Sequence, residues 1–381
     1  MPSELTSFPD KLRRYRAQFD ASIEDVSKAT GIAADALTAF ESGQRQPTGD
    51  EVLILADYFK CDFKFFISNE RLAPFEQTEK LFRKLGDELS RTDRWAIQEF
   101  LFLCECEAFL ETALGLPSPR AFAFVKQGKF FKRHGEDAAR QLRQHLRYEA
   151  NRIPEDIYDD FRAIGIHVFR RELENSDISG LYLKHPSAGK CVLVNYAEDV
   201  YRQRFTAAHE AGHSILDDEE DFVVSFAKWD QKDLVEVRAN TFAAHYLLPP
   251  EFLQDMAAIA WDETSIVTEA NRLRVNAATL VIALQREGRL DEAATLRFKG
   301  LKIPGVDKAD PELQPSLSQK GRALKIGLLR RGLSTHYARL CFDANERGLV
   351  SAARLADMML TDEHGLTEIG SLYGWSQQHG A

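Results

Sequence analysis

The stretch RFTAAHEAGHSIL, residues 204–216, decides how this chain is read. No proline interrupts it, and Phe205, Ala208, Ile215 and Leu216 can share its buried side, so the spacing predicts a helix. On that helix His209 and His213 stand one turn apart on one face, where both imidazoles can reach a single tetrahedral cation. Glu210 lies beside the first of them, placed to take a proton from water activated by such a cation. The pattern is H-E-x-x-H, whose chemistry is metal-assisted hydrolysis.

A hydrolytic zinc site takes three protein ligands and keeps one position for solvent, so the histidine pair needs a partner. Asp217, one turn beyond His213, is the nearest candidate, and the acidic run 217–221 supplies others. The favoured candidate is Glu236, in VEVRANTFAAHYLLPPEF (residues 235–252). There Ala239, Ala243 and Ala244 form a small-residue face that lets a second helix approach the first, and Pro249 and Pro250 stop it. Asn240, one turn from Glu236, is placed to orient it. Tyr201, His245 and Tyr246 are the candidate donors to a tetrahedral oxyanion.

Taken together, FTAAHEAGHSIL and the following E-V-R-A-N-T-F-A resemble the ImmA/IrrE metallopeptidases, with F-T-x-x-H-E-x-x-H followed by E-x-x-A-N-x-F-A. The resemblance runs from about Pro154 to Leu290. It implies a zincin-like domain in which His209, His213 and Glu236 hold zinc and Glu210 is the general base. It also implies hydrolysis of a peptide bond in a protein substrate, a transcriptional repressor in the family's usual setting of stress response or mobile-element induction. Imidazole and carboxylate accept Mn²⁺ and Fe²⁺ as well as Zn²⁺.

Outward from this core, residues 11–67 read as short helices separated by polar turns. Ser22 and Asp25 suit a capped helix start, and Gly31 and Gly43 suit helix ends. The phrases EDVSKATGIA and FESGQRQP resemble the phage-repressor (XRE) type of helix-turn-helix, which implies DNA as a partner. Yet this segment has eight Lys or Arg against nine Asp or Glu, and AADALTAFE (residues 33–41) has no Arg, Lys, Asn or Gln to read a base edge. Lys11, Arg13, Arg14, Arg16, Lys28 and Arg45 remain for phosphate contacts, and recognition of a protein, such as a similar repressor domain, is the alternative.

Leucines and aromatics at helical spacing continue from Glu70 to Leu116, until Pro117 and Pro119 break the pattern. A basic segment follows, in which Arg120, Lys126, Lys129, Lys132, Arg133, Arg140, Arg143 and Arg147 interleave with Phe122, Phe124, Phe130 and Phe131. It reads as an amphipathic linker in preference to a single-strand binder. Strand-rich runs at 166–170, 180–184 and 191–195 predict a small sheet of about three strands, with 191–195 as an edge that can hold an extended peptide. Everything after Tyr201 reads as helix. The expected class is thus α+β, predominantly helical. The expected domains are a helix-turn-helix at 8–68, a helical connector at 69–150, the peptidase-like domain at 151–295 and a helical accessory region at 296–381.

Across its 381 residues the chain carries a net charge of −10, which excludes a globally basic nucleic-acid coat. Five scattered cysteines suit reduced thiols in the cytoplasm, and the Cys104–Cys106 pair reads as a helix face, not a zinc knuckle. No apolar run approaches a membrane span or a signal peptide. The expected partners are therefore a protein substrate, DNA and a second copy of the chain, without a membrane. Two competing classes are a helix-turn-helix regulator whose metal is structural or sensory, and an antitoxin-like interaction module. The first requires a closed four-ligand site, which Asp217 or His245 would complete, and gives Glu210 no task.

Overall fold

The structure is a computed structural model that describes residues 7–61, 63–67, 73–128, 131–226, 233–256 and 258–375. The chain divides into two compact units, Met1–Glu105 and Cys106–Ala381. Among the described residues it is mostly helical, with one four-stranded mixed sheet, so the class is α+β.

The first unit contains α1 (Phe8–Gln18), α2 (Ile23–Thr30), α3 (Ala34–Glu41), α4 (Gly49–Tyr58), α5 (Lys64–Ile67), α6 (Ala73–Leu85) and the start of α7 (Arg91–Ala113). Ser22 and Asp25 form a capping box at α2, and Gly31 ends that helix in the left-handed region at φ 74°. Thr48 and Glu51 cap α4 in the same way. Trp95 stacks on the buried rings of Phe19 and Phe59 in the core of the unit.

The supply of phosphate contacts is smaller than the sequence suggests. Lys11 is buried and donates to the Phe65 carbonyl. Arg13, Arg14, Arg16 and Arg45 each pair with a carboxylate, of Asp10, Glu79, Glu41 and Glu51. Lys28 is exposed.

The second unit holds the rest of α7, then α8 (Phe131–His145), α9 (Ile157–Arg162), α10 (Val200–Leu216), α11 (Leu234–Leu247), α12 (Pro250–Asp255), α13 (Glu263–Arg272), α14 (Ala277–Arg286) and α15 (Glu292–Phe298). Its C-terminal helices are α16 (Gln319–Arg330), α17 (Thr335–Glu346), α18 (Ala352–Met358) and α19 (Glu363–Tyr373). The strands are β1 (Ile166–Arg171), β2 (Ile178–His185), β3 (Gly189–Asn195) and β4 (Phe222–Phe226), in the order β1-β3-β2-β4.

That order corrects two expectations. Residues 191–195 lie in β3, which pairs with β1 in parallel and with β2 antiparallel, so they are interior and cannot accept another strand. The fourth strand, β4, interrupts the all-helical reading after Tyr201 and pairs antiparallel with β2 at one edge. At the opposite edge the Glu172 N–H donates to the Arg330 carbonyl, and Arg171 bridges Arg331, so the C-terminal helical region covers the end of β1.

The basic segment does more than link. Its α8 packs along α11, and Gly135 makes this approach feasible: a Cβ there would lie 2.5 Å from the Arg238 carbonyl oxygen. Arg143 is buried and donates to the carbonyls of Tyr246 and Arg152. Phe122 and Phe124 are packed against the core, whereas Lys129 and Phe130 lie outside the described residues. No described helix is long and apolar enough to cross a membrane.

Candidate metal centre

Helix α10 starts at Asp199, whose carboxylate caps the amides of Tyr201 and Arg202, and runs through the whole His-Glu-x-x-His segment. Sheet and helices enclose it, so His209, Glu210 and His213 are all buried. Helix α11 crosses it where Gly212 meets the Phe242 ring and Ala239: a Cβ on Gly212 would stand 3.0 Å from that ring and 3.4 Å from the Ala239 Cα. The small-residue face read from Ala239 and Ala243 is buried at this crossing, and it brings Glu236 over the two histidines.

The resulting geometry is compact. The Nε2 atoms of His209 and His213 lie 3.0 Å apart. Glu236 reaches both, with Oε2 3.2 Å from His209 Nε2 and Oε1 3.4 Å from His213 Nε2. One ligand atom from each of the three residues falls within 4.8 Å of the others. His209, Glu236 and Asn240 line a cleft of about 20 Å³, room for roughly one water, bordered by Ser225 and Phe226 of β4.

Asp217 does not join this set. Its Oδ2 is 2.9 Å from His213 Nδ1, and its Oδ1 accepts from the Arg238 guanidinium. It turns the ring so that Nε2 points at Glu236, the orienting arrangement that carboxylates commonly give metal-bound histidines. Asn240 donates to the Glu236 backbone carbonyl and also interacts with His209, so it steadies the site without gripping the Glu236 carboxylate.

Glu210 is fully buried, and neither carboxylate oxygen has a hydrogen bond of good geometry. Burial pushes its carboxyl up to about 8, against the opposing influence of His213 and Ser225. For His213 burial works downward, but hydrogen bonds to Asp217 and Glu236 prevail and raise it to about 10. Burial pushes Glu236 up, yet its bonds to both histidines win and hold its carboxyl below the usual range. His209 is lowered, first by burial.

The three oxyanion candidates are elsewhere. Tyr201 donates to Asn271 and accepts from the Ala309 amide, and Tyr246 donates to Asp160. His245 faces Thr241 and Glu136, so it cannot close the site as a fourth ligand. None of the three lines the cleft, whose side-chain donors include Arg202, Ser225 and Asn240.

One further residue escaped the sequence reading. A Cβ on Gly180 of β2 would lie 2.6 Å from Glu210 Oε1 and 2.7 Å from the Thr206 methyl, so only glycine lets Glu210 rest against the sheet. An isolated glycine in a strand is the signal for such an approach.

Comparison with known families matches the two regions separately. Residues 161–285 match the model of peptidase family M78, an IrrE N-terminal-like domain, and residues 12–66 match a helix-turn-helix model. The first match contains His209, Glu210, His213 and Glu236. No curated protein matches the chain. The chain thus carries a domain of metallopeptidase type and a helix-turn-helix domain, which points to DNA binding.

Proposed function

We propose that this protein is a metal-dependent endopeptidase that cuts an extended segment of a protein substrate, a transcriptional repressor being the expected one, and so regulates gene expression. The supporting observation is the convergence of His209, His213 and Glu236 next to Glu210, a buried carboxylate with no hydrogen bond of good geometry. Two imidazoles and a carboxylate are the donor set of hydrolytic zinc sites, and they fit Mn²⁺ or Fe²⁺ by the same chemistry. A cation held by these three residues supplies Lewis acidity, which polarises a carbonyl and makes water nucleophilic near neutral pH.

The chain's own groups do the rest. Glu210 takes the proton of the attacking water on a carboxylate oxygen and returns it to the leaving amine as the C–N bond breaks. Asp217, held by Arg238, keeps the His213 ring in its orientation. Arg202, Ser225 and Asn240 are the donors available to the developing oxyanion. Strand β4 borders the cleft through Ser225 and Phe226 and pairs with β2 on one side, so its outer edge can align a peptide by strand addition.

The deciding experiment incubates zinc-loaded protein with helix-turn-helix repressors encoded beside it, and follows them by mass spectrometry. Cleavage by the native chain, absent with Glu210→Gln at equal zinc content, is expected; cleavage by both proteins would remove Glu210 from the mechanism. The N-terminal domain is tested by mobility shift over a salt series. Phosphate contacts predict binding that weakens steeply with salt, whereas DNA binding absent at low salt would turn the reading toward a protein partner.

A further inference from the structure

We infer that the unit Cys106–Ala381 holds a second divalent-cation site, built from Glu107 and Glu111 of α7 and His167 of β1. It is separate from the His209 centre in sequence and composition. Glu107 and Glu111 stand one turn apart on the same helix face, as His209 and His213 do on α10. One ligand atom from each of Glu107, Glu111 and His167 lies within 4.8 Å of the others. Glu107 Oε2 is 2.9 Å from His167 Nδ1, and Glu107 is fully buried.

The surroundings suit a cation. Arg162, whose Nε is 3.7 Å from Glu107 Oε1, is already paired with Asp159 at 2.8 Å. Glu107 and Glu111 bring two carboxylates beside the His167 imidazole and the Arg162 guanidinium. His336 of α17 brings Nε2 to 3.2 Å from Glu107 Oε1, yet both atoms are buried without a hydrogen bond of good geometry. An open cavity of about 640 Å³, lined by Glu111, Arg162 and His336 among others, gives solvent and ions a route to the cluster. One imidazole and two carboxylates are ligands for Zn²⁺, Mn²⁺ or Fe²⁺, and Zn²⁺ serves as the probe.

The test uses the full chain with the first centre disabled, His209→Ala/His213→Ala, stripped by chelator and then titrated with Zn²⁺ by calorimetry and elemental analysis. One saturable equivalent is expected, lost when Glu111→Gln is added, and the wild type should hold two. Glu111 is half-buried, so this exchange spares the core, and circular dichroism verifies folding. His167→Gln in the same background should also lose the equivalent. No binding by the folded double variant would show the cluster to be a buried ion-pair network. An equivalent that survives Glu111→Gln and His167→Gln alike would place the ion elsewhere. Neither result depends on proteolysis.

Discussion

The two imidazole–carboxylate clusters, at α10–α11 and at α7–β1, use nearly the same groups and differ in what stands beside them. At His209, His213 and Glu236 the neighbour is Glu210, buried, without a hydrogen bond of good geometry and next to an edge strand. At Glu107, Glu111 and His167 the groups beside Glu107 are the nitrogen side chains of Arg162 and His336. Coordinating groups alone therefore do not define a hydrolytic centre. A base held near the reacting atoms and a surface that positions a backbone separate catalysis from binding.

The strongest way to break this contrast is Glu210→Gln, which keeps shape and removes the base. Peptide cleavage should fall by about 10²- to 10⁴-fold with zinc content unchanged, read by kinetics and elemental analysis. Gly180→Ala comes next. The added methyl displaces the Glu210 carboxylate, and a shift of about an ångström costs on the order of 10²-fold in rate, while overpacking against Thr206 should lower stability by about 1–3 kcal/mol.

Asp217→Asn tests the support behind the ligands, since the exchange loses the ionic partner of Arg238 and of the His213 ring. Zinc affinity should drop about 10- to 100-fold in a competition titration with a chelator. The smallest effect belongs to the other cluster. His336→Ala withdraws one neighbour from Glu107 at a half-exposed position and should lower stability by about 1 kcal/mol, measured as a shift in the urea midpoint.

The same contrast explains what the sequence could reveal. His209, Glu210 and His213 are visible because helical periodicity turns a four-residue spacing into a shared face, and Glu236 follows from a second helix with a small-residue side. The Glu107 cluster is hidden because its members sit on α7 and β1, and no local pattern joins positions 107 and 111 to 167. Strand β4 was missed although FVVSF is rich in β-branched and aromatic residues, because helical segments dominate on either side. Strand order was equally opaque: the parallel β1–β3 pairing spans the whole of β2, and nothing within 191–195 reports that both neighbours are occupied. Tyr201, His245 and Tyr246 were misplaced because nearness in sequence to a ligand says nothing of which helix face a side chain takes.

The position of β4 at the end of the sheet sets a condition on any polypeptide that would pair with it. An incoming chain must offer several consecutive N–H and C=O groups not already engaged, and residues inside a helix or sheet have none to spare. A folded domain would thus be shielded by its own secondary structure, and scission would fall in interdomain tethers or frayed ends. Discrimination of this kind senses local order before it senses side-chain identity.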